Sequence, residues 1–512
     1  MLNINKTFAE KFSIAANIGA STTDRRSEYT KVRGPILDKI NEQGIRESGI
    51  PNVFQLQNLD YSQTNPFQGG YSIRSRALFA SAEFGYNSTY YLTLTGRNEW
   101  ASQLVGPNSN KSSFFYPSVG ASIILSEIIP LPKQINYIKF RASFASIGLP
   151  YQEFLATEVL PWDGNGYSGS YAYYPMSNLK PEKTNSWEAG LTVRFLQNFN
   201  FDISLYHART FNQTINARLS ASSGYDRFYV QSGKVRNQGI ELSLGYQNKW
   251  GDFNWSSNYT FTANNNKIEE LVKNYKHPIT SEIINKSVLD VGGYSNVRFL
   301  LKEGGSLGDL YGMRYLKRDD RGNIYIDQDG KPEVLPAGEG EIKLGSVDPK
   351  CNMAWNNSLS WKNINLSFLI TARLGGIVYS PTQAVLDQYG VSEASALARD
   401  HGGVIVNGGT FVDPEKWYSV VSTARGVPEL YTYSATNVRL QELSLGYTFP
   451  KKMLWGIAEA SVSLVGRNLW MIYNKAPFDP ETVATTDNYY RGIDLFMMPS
   501  TRNFGFNVRL KF

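Results

Sequence analysis

The sequence predicts an all-β protein: a transmembrane antiparallel β-barrel with short turns on one rim and long loops on the other. Three observations predict it. Apolar residues recur with a period of two from end to end, connections alternate between very short and very long, and the chain closes on a two-faced strand ending in an aromatic ring. Composition agrees, because 13% aromatic residues and 44 glycines favour strands and tight turns over helices. No apolar run reaches the roughly 20 residues of a membrane-crossing helix. The nearest, Val119 to Pro132, is short and carries Glu127. Barrel strands need only one apolar face, so hydropathy leaves a barrel open.

The strands can be justified in order. The first is expected near Phe8 to Gly19. Trp187, Ala189, Leu191, Val193 and Phe195 alternate with Glu188, Gly190, Thr192 and Arg194. Ile240, Leu242, Leu244 and Tyr246 alternate with Glu241, Ser243, Gly245 and Gln247. Phe253, Trp255, Tyr259 and Phe261 follow the same rule, as do Ile364, Leu366, Phe368 and Ile370, with Leu369 the exception. Val438 and Leu440 lie in one phase and Leu443, Leu445, Tyr447 and Phe449 in the other, so a bulge is expected near Gln441. At the C-terminus Phe504, Phe506, Val508, Leu510 and Phe512 share one parity, while Gly505, Asn507, Arg509 and Lys511 share the other.

Short turns are expected at Asn87-Ser88, Gln197-Asn198, Lys249 to Gly251 and Lys362-Asn363. Long polar stretches run from Ala20 to Gly69, Gly148 to Glu182, Asn265 to Tyr294, Arg318 to Lys350, Gly375 to Ala435 and Tyr473 to Thr501. The pattern gives about sixteen strands, with alternation running about 9–11 residues, the length that crosses a bilayer at a tilt. A β-sandwich would show strands of about 5–6 residues and mixed loops at both ends. In hydrocarbon no water satisfies a free backbone N–H or C=O, so such strands must close into a ring. Their polar parity then lines an aqueous bore, which is where Glu188, Arg194, Glu241 and Arg373 belong. The competing reading is a soluble extracellular all-β binding or adhesin protein.

Other functions find little support. The single cysteine, Cys351, excludes an internal disulfide framework, and His207, His277 and His401 are far apart. A net charge of +6 from 51 basic and 45 acidic residues forms no nucleic-acid stripe. Glu188 and Glu241 are regularly phased bore residues rather than an acid/base pair, so no enzyme and no cofactor is expected. Asp327 and Asp329, before Gly330, form a weak calcium candidate that reads better as turn chemistry, because the twelve-residue ligand pattern fails. Trp162, Tyr167, Tyr171, Tyr173 and Tyr174 fall in an expected outer loop, where rings can stack on a sugar or pack the loop; Tyr489-Tyr490 has the same two readings. Trp100, Tyr116, Trp187, Trp255, Trp361 and Trp470 sit near strand ends and are expected in interfacial belts.

Six segments resemble the SusC/RagA family of TonB-linked outer-membrane proteins of Bacteroidota. They are NLKPEKTNSWEAGLTVRFLQNFNFDISLYHARTFNQTI from Asn178, KVRNQGIELSLGYQ from Lys234, LGSVDPKCNMAWNNSLSWKNINLSFLITARLGG from Leu344, NVRLQELSLGYTFPKKM from Asn437, VSLVGRNLW from Val462 and the terminal strand. The resemblance implies a barrel of about twenty-two strands, of which residues 1–512 look like the C-terminal part, with plug domain, TonB box and signal peptide absent. It further implies a place in the outer membrane, import of an oligosaccharide or peptide, and a SusD-like surface lipoprotein as partner. The TonB complex would act only through the missing N-terminal region, so the chain alone is not expected to support energised transport. Phe512 is expected to serve as the aromatic signal read by barrel-assembly machinery.

Overall fold

The computed structural model describes residues 1–512 apart from 51–52, 54, 110, 158–178, 219–226, 277–282, 337–340 and 487–489. A 15-stranded antiparallel sheet dominates it. Its strands, in chain order, are β1 (Leu2–Phe8), β2 (Phe12–Arg33), β3 (Asn65–Tyr86), β4 (Tyr90–Ala101), β5 (Ser113–Ile124), β6 (Ile135–Leu149), β7 (Glu182–Phe195) and β8 (Phe199–Arg218). Then come β9 (Arg227–Trp250), β10 (Phe253–Glu270), β11 (Cys351–Trp361), β12 (Ile364–Leu374), β13 (Asn437–Phe449), β14 (Glu459–Asn474) and β15 (Asn503–Lys511). Each pairs with the strand before and after it, and β1 and β15 are the two edges.

The register shows why period two matters. One line of paired residues from β1 to β14 reads Phe8, Phe12, Tyr86, Tyr90, Ile123, Phe140, Leu191, Ile203, Leu242, Phe261, Met353, Ala372, Val438 and Tyr473. Every member is apolar or aromatic. The line beside it reads Thr7, Ser13, Gly85, Tyr91, Ser122, Arg141, Gly190, Ser204, Glu241, Thr262, Asn352, Arg373, Asn437 and Asn474. Only Tyr91 interrupts its polar and glycine character. A slip of one residue anywhere would mix the lines, so the two faces together specify the pairing.

The bulge falls where the phase break places it. Leu369 pairs with Glu442 and Ile370 with Leu440, leaving Gln441 as the extra residue. The expected short turns also form. Asn87 and Ser88 both adopt left-handed backbone (φ 53° and 52°), Lys362 does so between Trp361 and Ile364, and Gly251 turns at φ 58°. Asn and Gly tolerate that region best, and its handedness suits the twist of a hairpin.

Three expectations need correction. A strand, β1, precedes the first expected one, joined by a left-handed turn at Ala9 and Glu10. The count is therefore odd, because the chain enters from the long-loop rim. The stretch from Ala20 to Gly69 is not all loop, since β2 and β3 stay paired out to Arg33 and Asn65. Tyr116 is not in a lipid-facing belt. It shares parity with Arg97 and donates to Glu99 Oε2 at 2.8 Å on the polar face.

The long loops after β10, β12 and β14 build a body whose core also takes in Ile215 of β8, Val235 of β9 and Ile268 of β10. Val288–Tyr294, Val297–Lys302, Asp309–Gly312 and Ile342–Ser346 form a four-stranded sheet. Val297, Phe299, Leu301 and Leu310 from it pack with Tyr379, Tyr431 and Ile493, all essentially closed to solvent. Three helices follow β12: α1 (Pro381–Gln388), α2 (Glu393–Asp400) and α3 (Pro414–Val421), capped by Ser380, Ser392 and Asp413. Tyr431 Oη donates to Asp387 Oδ2 at 2.8 Å inside this body, and Ser392 Oγ donates to the other oxygen. Burial pushes the Asp387 carboxyl above its usual range, although both hydroxyls oppose the shift. An acid whose folded pKa is raised favours folding most below the ordinary carboxylate value, and that contribution is lost as pH rises from there through the raised one. Tyr431→Phe removes one donor from this buried oxygen and is expected to cost about 1–3 kcal/mol, seen as faster amide exchange along α1.

Candidate functional site

The loop body meets the sheet through residues of its polar face. Arg373 of β12 donates from Nη2 to the Val347 carbonyl at 2.8 Å. Arg439 of β13 grips Asp479 of the last long loop through two bonds, Nη2 to Oδ1 at 2.8 Å and Nη1 to Oδ2 at 3.1 Å. Both arginines lie on the polar parity. The apolar face stays bare: Trp187, Leu205, Leu464, Phe504 and Phe506 are each more than half exposed. Grooves between its rings, such as that of about 600 Å³ among Phe84, Tyr86, Tyr90 and Phe140, open onto the same surface. A water-facing surface this apolar and this extended would be sticky, whereas acyl chains match it.

Aromatic rings crowd the short-turn rim of that face. Phe195 stacks on Phe199 at 5.1 Å, Phe199 meets Tyr246 at 4.6 Å, and Tyr246 meets Trp255 edge-on at 5.0 Å. Trp250 stacks on Phe253 beside the Gly251 turn at 5.9 Å. Headgroup-level belts have this composition.

Between the polar face and the loop body lies a cavity of about 670 Å³. Its wall comes from β8 to β11: Tyr206, Glu241, Asn264 and Asn352, the last three brought within two strand spacings by the pairing of Glu241 with Thr262 and Thr262 with Asn352. Its other side is the Gly304 to Asp309 turn with Lys343, Asp348 and Lys350. That turn is pinned to β10 by Ile268 N–H donating to Gly305 O and Gly304 N–H donating to Ile268 O, each at 2.8 Å. Leu307 N–H donates to Asn266 Oδ1, also at 2.8 Å. Asp309 accepts from Ser306 N–H and Oγ and from Lys343 Nζ at 2.5 Å. The cavity is thus a fixed, hydrogen-bonding vessel suited to a hydrated solute. Among the described residues no group of three His, Cys, Asp or Glu could hold a metal.

The remaining sequence candidates scatter. Glu188 stands 4.0 Å from Arg141, at the edge of a network in which Arg141 donates twice to Asp202 at 2.9 and 3.0 Å and once to Thr192 at 3.1 Å. Arg194 lies over the Tyr137 ring at 5.2 Å. Arg373 holds the loop body, and Glu241 lines the cavity; the four share a face but not a site. Asp327 Oδ1 accepts from the backbone of Asp329 and Lys331 at 2.9 and 2.8 Å, closing a turn at Gly330 with φ 75°. Tyr490 packs against Phe299 in the loop body, ring centroids 6.3 Å apart. Phe512 is 81% exposed just beyond β15. Trp162, Tyr167, Tyr171, Tyr173, Tyr174 and Tyr489 lie outside the described residues. Arg141, Asp202 and Arg439 went unremarked in the sequence although their parity marks them as bore residues. Nothing local marks Asp479.

A family model described as TonB dependent receptor-like, beta-barrel matches residues 3–347. TonB-dependent receptor P3 of Formosa agariphila is 24% identical over 482 residues, which is 85% of this chain and 45% of that protein. TonB-dependent receptor SusC of Bacteroides thetaiotaomicron is 22% identical over 368 residues, covering 69% of this chain and 34% of its own length. Among solved structures, a chain of the RagAB peptide importer in the open-open state superposes with a TM-score of 0.73 at 17% identity, over 100% of this chain and 54% of that one. The chain spans less than half the length of the curated relatives it matches.

Proposed function

Because this chain belongs to the TonB-dependent receptor-like β-barrel family and is an outer-membrane β-barrel protein, we propose that it forms the wall and outer cap of a nutrient importer for oligosaccharides or peptides. The observation that carries this reading is the pairing of a bare apolar face with a polar face on which a loop body encloses a cavity lined by charged and amide groups. A soluble adhesin is not supported, since among the described residues no second layer covers the apolar face. The relatives are named as receptors.

Residues 1–512 are read as the C-terminal part of a receptor barrel. The edges β1 and β15 each have one free side, and free backbone groups in hydrocarbon cost several kcal/mol each. Further strands, up to the roughly twenty-two of such barrels, would close that gap. Within the same proposal a SusD-like lipoprotein covers the cap, the TonB complex acts through the N-terminal part of the receptor, and Phe512 marks the last strand for assembly.

Uptake decides the matter. Cells making the whole receptor are expected to accumulate labelled oligosaccharide or peptide, and to stop when the proton gradient is collapsed. Accumulation equal to that of cells lacking the receptor would reject the proposal.

A further inference from the structure

Most charges around the cavity are already matched. Lys343 pairs with Asp309, and Asp348 pairs with Arg491 at 2.8 Å. Glu241 and Lys350 are different. Both line the cavity and are solvent-exposed, and neither forms an ion pair with another described residue. They have opposite signs. Glu241 is two strand spacings from Asn352, about 10 Å at the usual strand separation, and Lys350, just before β11, lies two residues or about 7 Å further along, so the two positions are about 12 Å apart. Exposed Asn352, between them, presents an amide that can both donate and accept.

Resting on the importer reading above, we infer that this cavity takes a short unblocked peptide, its ammonium end at Glu241 and its carboxylate end at Lys350. The physical reason is charge matching at a fixed span. A neutral sugar leaves both charges without a partner, and a singly charged solute satisfies one only. An extended peptide of three to four residues spans about 12 Å, the separation required. Its backbone amides suit Asn352, and its side chains are left to the open volume, so the cavity selects length and free ends rather than sequence.

Thr262 lines the same cavity on the polar parity, between Glu241 and Asn352, whereas the single cysteine, Cys351, pairs with Leu374 on the opposite parity, so Thr262→Cys in a Cys351→Ser receptor reports occupancy. Outer-membrane vesicles carrying that receptor would be treated with N-ethylmaleimide, and modification at position 262 followed by mass spectrometry. Trialanine is expected to slow the modification, whereas N-acetyl-trialanine amide and maltotriose leave it unchanged. By calorimetry on the purified receptor, Glu241→Gln and Lys350→Gln should each weaken trialanine binding about tenfold. Equal protection by maltotriose or by the blocked peptide overturns the inference. So does an absence of trialanine binding in both measurements. If the receptor still drives uptake in cells under those results, only the peptide assignment falls; if uptake is absent too, the importer reading falls with it.

Discussion

Leu464→Arg is expected to lower the stability of the assembled barrel by about 2–4 kcal/mol, the cost of a guanidinium on the lipid face near mid-membrane. Leu464 sits in β14, flanked by Leu445 and Phe506, and all three are more than half exposed. On a water-facing surface the same change would fall within about 0.5 kcal/mol of neutral. The sign and size of the effect therefore report what touches this face. Asn258→Arg is the matched control: it lies exposed on the polar face of β10, opposite Gly245 and Asn356, where water solvates the new charge. Heat-modifiable gel mobility and urea unfolding in lipid would measure both variants. Equal tolerance of the two would place water on both faces, and the membrane reading would fail.

The features legible in the sequence are those set by neighbours in the chain. Parity along a strand is local, so the two faces of β7, β9, β12 and β15 could be read directly, and the phase break at Gln441 forecast a bulge that the pairing of Leu369 and Ile370 then locates. Parity fails where both faces are wet. Beyond Ala20, β2 continues as Ser21, Thr22, Thr23, Asp24, Arg25 and Arg26, polar on either side, yet it stays paired with β3. A polar paired strand and a polar loop look alike in sequence.

The loop body was hidden for a different reason. Val297 to Leu301, apolar apart from Arg298, would serve as barrel wall or as soluble core. What makes it core is contact with Tyr379, Tyr431 and Ile493, all far away in the chain. The cavity has the same origin. Glu241 could be assigned to the bore from its phase, but its neighbours Lys343 and Lys350 arrive through loop folding that no local pattern encodes.

The same long-range logic predicts the second large effect, at Arg439. Its side chain is 5% exposed and that of Asp479 8% exposed. Around this pair Arg439 Nε also donates to Asn437 Oδ1 at 3.2 Å, and Glu481 Oε2 lies 3.3 Å from Nη2. Arg439→Met leaves the Asp479 carboxylate buried without its cation, a loss of about 3–5 kcal/mol for a broken buried pair. Arg439, with Asn437 Nδ2 donating to Glu481 Oε1 at 3.2 Å, joins β13 to residues 475–483, whereas Ile493 and Asp494 stay held in the loop body, so the expected result is local release of residues 475–483, read as new protease cleavage within them while the barrel keeps its heat-modifiable mobility. Adding Asp479→Asn should recover much of the loss, since it removes the stranded charge. The pH dependence has a definite sign. Burial pushes the Asp479 carboxyl up, but the Arg439 hydrogen bonds, the Glu481 N–H and the Ser500 hydroxyl outweigh burial and hold it below the usual value of 3.8. A depressed carboxylate contributes stability above its unfolded pKa and loses it as pH falls through the folded one. Protease resistance of the wild-type loop should therefore hold from neutrality to about pH 4 and weaken only below. Loss of resistance well above that pH, or an Arg439→Met loop that stays resistant, would show that other contacts hold the strap in place.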